Sequence, residues 1–343
     1  VYRKWRDFET ALAVQQQAAR IYEDLGDIRG QAKALRRIGV LYRHKGKLFQ
    51  AIAFQEQSLK LMKEAHDQRG IATILTNLGT IYGDLGRLQE AQSYFEQALQ
   101  IYTQLQNQVG VSYTLGNLGQ LFLYLGDSQQ ALQYLERSLA IKQTLADTRG
   151  QANTLLNIGT AYKNLGDFQK ALTLYYEALD LYQQLNELYG EAATLGNIGS
   201  TYEKLGDLDR ALQFQLQSLD FKKQSGTPLQ LTIALTNLAS LAIKQQRFSE
   251  ANTYLQKGLT IAVEHESRLA QANIYGQFGL LYLNQNMIDE ALKHFTHSLE
   301  LYEKVGSQKG LLEVFEYIGQ VYIKQDLFAE ALPYYEQALH LAQ

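Results

Sequence analysis

Cysteine is absent from the 343-residue chain. That excludes disulfides, thiolate metal sites and cysteine nucleophiles, and it suits a reducing, cytoplasmic setting. Proline occurs only twice, which favours helix nearly throughout. No apolar run approaches the roughly 18 residues of a membrane span, and no signal peptide is visible, so no membrane partner is expected. Net charge is only −3, which lacks the global basic signature of a nucleic-acid binder. The balance is uneven: residues 1–50 hold eleven Lys/Arg against five Asp/Glu. The chain opens "VYRKWRDF" without an initiator Met. The expectation is that the natural protein continues at both ends, or that these ends associate.

A period is the main thing present. Gly30, Gly70, Gly110, Gly150 and Gly190 recur every forty residues, and Gly310 resumes the series after Gln230 and Ala270. Gly39, Gly79, Gly119, Gly159, Gly199, Gly279 and Gly319 form a second series, with Ala239 as its exception. Alanine holds a third without exception, from Ala11 and Ala51 to Ala331. No insertion breaks the phase, so one supersecondary unit is copied and stacked. Each copy reads as two helices, about 29–45 and 48–66 in the copy that opens at Gly30. Gly46, Gly86, Gly126, Gly166 and Gly206 suit the left-handed residue that ends a helix. Asp7, Asp127, Asp167 and Asp207 suit the N-cap of the following helix, and Asp27, Asp67, Asn107 and Asp147 the N-cap of the first. On the first helix Leu35, Ile38, Gly39 and Tyr42 share one face, which is the packed one. By this spacing most of the tyrosines, Tyr42, Tyr82, Tyr162, Tyr202, Tyr282 and Tyr322 among them, belong to the core.

The order "LGNLG…Y", then Gly, then Ala early in the next helix, resembles the tetratricopeptide repeat (TPR) over essentially the whole chain. The forty-residue unit is longer than the usual thirty-four. It is similar to the long-helix variety of Pins/LGN-type scaffolds and to bacterial multi-repeat arrays that sit beside caspase-like CHAT domains or STAND-type ATPases. The resemblance implies an all-α, right-handed superhelix of about eight helical hairpins, with first helices lining a concave surface. Residues 1–343 then form a single solenoid: a partial repeat over 1–29 and repeats starting near 30, 70, 110, 150, 190, 230, 270 and 310. Val1–Lys4 would be the tail of a first helix, followed by a second helix at 7–25. The copy at 230 is degenerate, with Ala239, Ala242 and Gln246 at its Gly and Tyr positions. The preceding "SGTPLQ" makes 225–229 a candidate soft joint.

The face of the first helix opposite the core carries few charges in the middle copies. Asn77, Asn117, Asn157, Asn197 and Asn237 hold one phase, and Gln277 continues it. An amide both donates and accepts. The ladder therefore suits an extended peptide backbone read without regard to sequence, or hydrogen bonds that pin neighbouring first helices together. Both readings stay open, and each offsets the cost of Asn inside a helix. Tyr113, Tyr124, Lys204 and Lys244 lie on the same face. Its N-terminal end is basic, with Arg3, Lys4, Lys33, Arg36, Arg37, Arg43 and His44, which favours an acidic segment of a partner. Glu313, Glu316 and Lys324 stand at the other end.

Chemistry is sparse. His294 and His297 are one turn apart with Glu290 nearby, a two-ligand spacing without a third ligand. The glycines fall inside helix patterns rather than in a phosphate loop. No nucleophile, base and acid form a motif. The reading is a protein- or peptide-binding module without catalysis or cofactor, part of a larger bacterial protein. A regulatory arm on an attached protease or ATPase, or a self-assembling array, are the alternatives.

Overall fold

The structure, a computed structural model, describes residues 2–342; the side chains of residues 1–7, 225 and 343 lie outside the described residues. Arg3, Lys4 and Asp7, assigned above to the basic end and to a cap, fall in that group. Among the described residues every element is an α-helix, and the chain divides into two compact units, Val1–Asn186 and Glu187–Gln343.

The first unit holds α1 (Tyr2–Asp24), α2 (Ile28–His44), α3 (Leu48–Glu64), α4 (Gln68–Asp84), α5 (Leu88–Gln104), α6 (Gln108–Tyr124), α7 (Ser128–Thr144), α8 (Thr148–Asn164) and α9 (Phe168–Gln184). The second holds α10 (Leu188–Lys204), α11 (Leu208–Ser225), α12 (Pro228–Lys244), α13 (Phe248–Glu264), α14 (Arg268–Asn284), α15 (Ile288–Val305), α16 (Gln308–Lys324) and α17 (Phe328–Ala342). Even-numbered helices are the first helices of the hairpins, and each packs on the odd-numbered helix that follows. The pairs from α2–α3 to α16–α17 make eight hairpins. The expected break between Lys4 and Asp7 is corrected: α1 runs unbroken from Tyr2.

Punctuation explains the rest of the pattern. Gly46, Gly86, Gly126, Gly166 and Gly206 all have φ between +72° and +86°, in the left-handed region. Asp27, Asp67, Asn107 and Asp147 accept from the backbone N–H of Gly30, Gly70, Gly110 and Gly150 at 2.8–3.1 Å. Asp127, Asp167 and Asp207 do the same for Gln130, Lys170 and Arg210. Five of the hairpin-to-hairpin turns were not legible from glycine, because His66, Gln106, Ala146, Asn186 and Glu266 hold the left-handed position there. At 225–229 the junction is of another kind. Gly226 is extended (φ −81°, ψ 160°), Thr227 and Gln230 form a reciprocal capping box, and Pro228 opens α12. The division between the compact units falls at Asn186/Glu187.

Within each unit the core sits between the two helices of a hairpin and between neighbouring hairpins. Ala51, Ala91, Ala131, Ala171, Ala211, Ala251 and Ala291 are fully buried. The recurring glycine faces a large side chain of its partner helix. A methyl group on Gly79, Gly119, Gly159 or Gly279 would lie 2.4–2.7 Å from Phe95, Leu135, Tyr175 or Phe295. Glycine there is the hole for a knob, which closes the hairpin to native packing density. The tyrosines fill the same layer. Tyr42 stacks on Phe54, Phe122 on Tyr134 and Tyr202 on Phe214, with centroids 5.3–5.6 Å apart.

Candidate functional site

Within the first unit the first helices pack on one another in the order α2, α4, α6, α8. Their shared face carries Asn77, Asn117 and Asn157, all half-buried. Asn77 Nδ2 is 3.5 Å from Gln55 Oε1, at the outer limit of a hydrogen bond. Among the described residues, no side-chain hydrogen bond engages Asn117 or Asn157, and none joins one ladder amide to the next. The tyrosines differ from each other. The Tyr113 hydroxyl donates to Asp147 Oδ2 at 2.9 Å, while Tyr124 is 72% exposed.

At the basic end Lys33 and Arg37 are exposed and Arg36 is half-buried. Burial, and then the charge of Arg37, lowers the Arg36 guanidinium from its usual value. Arg43 contributes less than expected, because its Nε lies 2.6 Å from Asp84 Oδ2 on α4. The link ties α2 to α4 and meets most of one positive charge.

In the second unit α12, α14 and α16 pack in sequence. Lys244 on α12 reaches Glu203 on α10 at 2.6 Å, and Lys204 is exposed. The Asn197 backbone carbonyl accepts from Thr201 Oγ1 at 2.8 Å. Asn237 and Gln277 line a cavity of about 350 Å³ between α12, α14 and α16. Its rim is apolar: Leu229, Ile233 and Leu269 are 46–50% exposed. Its polar lining includes Asn273, Glu313, Tyr302 and Tyr317. Burial, and secondarily Glu313, raises both tyrosines above the usual phenol value. Gln277 Oε1 is buried and has no hydrogen-bond partner. A buried amide oxygen left unmet costs about 1–3 kcal/mol.

The apolar rim was missed in the sequence although a signal existed. Leu229 and Leu269 hold a phase that carries Arg29, Arg69 and Arg149, alongside Val109 and Tyr189, in earlier copies, and Ile233 one that carries Lys33, Thr73 and Asn153, alongside Tyr113 and Ala193. His294 and His297 sit instead on an aromatic cluster, with His294 stacked on Tyr282 at 5.0 Å and His297 edge-on to Tyr275 at 4.3 Å. Among the described residues, no group of three His, Asp or Glu side chains could hold a metal ion, and no helix is long and apolar enough to cross a membrane.

Helical hairpins of constant length, joined in one phase around glycine holes and invariant alanines, define an all-α solenoid of repeated hairpins. A profile of the tetratricopeptide repeat matches residues 30–104, 70–144, 150–224, 230–304 and 270–343, and the chain belongs to that family. No curated protein matches it in sequence. Solved structures are similar in fold. The apo quorum sensor NprR from B. thuringiensis superposes with a TM-score of 0.72 at 21% identity, over 100% of this chain and 99% of its own. The Rap conjugation gene regulator of plasmid pLS20, in complex with the Phr* peptide, gives 0.65 at 14% identity, over 98% and 97%. A STAND protein with a tetratricopeptide repeat sensor from Pyrococcus horikoshii gives 0.63 at 17% identity, over 84% of this chain and 44% of that one.

Proposed function

We propose that the chain is a protein-interaction module that receives a peptide or protein segment on the face of its first helices. It has no catalysis of its own and serves as the recognition or scaffold part of a larger, cytoplasmic bacterial protein. One observation carries this reading: Gln277, whose Oε1 is buried and unmet, lines a cavity of about 350 Å³ whose rim exposes Leu229, Ile233 and Leu269. An aliphatic side chain covers such a rim, and the Gln277 amide beside it offers a hydrogen bond to a peptide backbone. The ladder amides free of internal hydrogen bonds, Asn117 and Asn157 in the first unit and Asn237 in the second, support it. So does the Phr* peptide bound by the pLS20 Rap protein. In the first unit Lys33, Arg36 and Arg37 favour an acidic stretch of the bound segment.

A membrane array of capped decapeptides tests the reading. Wild-type chain should retain a subset rich in aliphatic residues. Gln277→Ala should weaken those peptides about tenfold, as the loss of one well-placed hydrogen bond implies. Ile233→Lys changes an exposed position (47%), so folding should survive while retention is lost. An array that Ile233→Lys leaves unaltered would remove the cavity from the account.

A further inference from the structure

One phase of the second helix carries Phe54, Tyr94, Tyr134, Phe214, Tyr254 and Tyr334, with Leu174 as its aliphatic member. Its ring stacks inside its own hairpin, as Phe54 does on Tyr42 and Phe214 on Tyr202. In the copy that opens at residue 270 this phase holds His294. The imidazole keeps the stack: it lies on Tyr282 and Phe278 of α14 at interplanar angles of 11° and 26°. Only in this hairpin does the stacked ring take up a proton near neutral pH. Tyr275 departs from the repeat beside it, in a phase that is leucine from Leu35 to Leu235, and stacks on His294 at 5.9 Å.

The ring has somewhere to go. With Tyr275, Lys293, His297 and Glu300 it lines an open cavity of about 570 Å³, distinct from the one around Gln277. Glu290 Oε2 lies 3.9 Å from His294 Nε2. The charges that act on the imidazole are those of Glu290, Lys293 and His297, all on α15. From α14 it meets the rings of Tyr275, Phe278 and Tyr282, and α16 adds no charge to that set.

The same two helices shape the cavity of about 350 Å³. Phe278, 2% exposed, follows Gln277 directly in α14. Asn273 and Gln277 line that cavity from α14 and Tyr302 from α15, and the Tyr302 hydroxyl donates to Asn273 Oδ1. Between the stack and the cavity, Ser298 Oγ donates to the Ala272 carbonyl at 2.8 Å. A shift of α14 on α15 at the stack therefore reaches the cavity wall.

We propose that His294 is a proton switch for that cavity: the neutral ring holds α14 on α15, and the protonated ring turns to Glu290 and the open side, releasing Asn273 and Gln277. Burial disfavours the charged ring in the stack. Acid therefore favours the released form, in which the imidazole titrates near its free value of about 6.5. A ligand that needs the closed wall binds less well as pH falls, and by reciprocity it makes His294 harder to protonate. What the cavity receives rests on the interaction role above; the coupling of His294 to its wall does not.

The coupling is read without a ligand, by NMR of the full chain with His rings and Gln side chains labelled, from about pH 7.5 to about pH 5.5. The Gln277 side-chain amide should move with the same midpoint as the His294 ring, below about 6.5. His294→Phe, which supplies the ring found at Phe54 and Phe214, should remove that movement, and His297→Gln, the residue of Gln57 and Gln97, should keep it. A Gln277 signal that stays still while His294 titrates, or that moves equally in His294→Phe, would overturn the switch. So would a His294 midpoint above about 6.5, since the stack would then prefer the charged ring. On the decapeptide array, wild-type retention should fall roughly threefold or more from the neutral to the acid end, and retention by His294→Phe should not. An array that retains nothing at either end overturns the interaction role, and the NMR titration still decides the switch.

Discussion

The Ser138 hydroxyl donates to the Ser112 carbonyl at 2.7 Å, across the hairpin of α6 and α7. The same bond recurs at Ser58–Ala32, Ser218–Ala192 and Ser298–Ala272. The hairpins between carry Ala98, Ala178 and Gly258 at that position. Two kinds of hairpin therefore alternate, and the period of this feature is eighty residues rather than forty. Ser138→Ala should cost only about 1 kcal/mol in urea unfolding, the net worth of one neutral hydrogen bond. Alanine already fits at Ala178, so no void or clash adds to it. Ser58→Ala lies far from it in the chain and should add independently.

Two glycines should respond in opposite directions. A methyl at Gly119 would lie 2.4 Å from Leu135 Cγ, and Leu135 is fully buried. Gly119→Ala should destabilise by about 1–3 kcal/mol through overpacking. At Gly83 the nearest atom would be Ala91 Cβ at 4.0 Å. Gly83→Ala should stabilise by about 0.5–1 kcal/mol through helix propensity. Thermal melts of the two variants that shift the same way would contradict the knob-and-hole reading.

Ala146 has φ +53°, a conformation that a Cβ disfavours. The equivalent turn residues Gly26 and Gly306 show φ +68° without that penalty. Ala146→Gly should raise the unfolding midpoint by an amount worth about 1 kcal/mol. An unchanged or lowered midpoint would show that the turn stores no strain.

His294 couples the stability of the second unit to pH. Its ring stacks on Tyr282 and on Phe278, with centroids 5.0 and 5.3 Å apart. Burial lowers its pKa, Glu290 partly opposes this, and Lys293 and His297 add to it. The neutral ring is thus favoured in the fold, while the unfolded chain takes up a proton near a pH of about 6.5. Below that value the unfolded state binds more protons, so stability falls as pH drops, until the folded state also titrates. Melts between neutral and mildly acidic pH should show this loss, and His294→Phe should flatten it. Equal slopes in the two proteins would exclude His294 as the source.

The hairpins, their caps and the left-handed glycine turns were legible in the sequence, because each depends on residues within a few positions of one another. Gly46 needs only its own φ, and Asp67 only the N–H three residues ahead. The packed stripe was legible for the same reason, since helical spacing alone puts Ile38 and Gly39 on one side. Links forty-one residues apart were not, and they altered the site: Asp84 meets Arg43, and Glu203 meets Lys244. Nor could spacing tell a ladder amide that is bonded from one that is free, because that depends on what the neighbouring helix offers. The cavity around Gln277 likewise arises from how separate hairpins meet. Local chemistry wrote the repeat, while contacts between copies decided which of its identical positions were left unsatisfied.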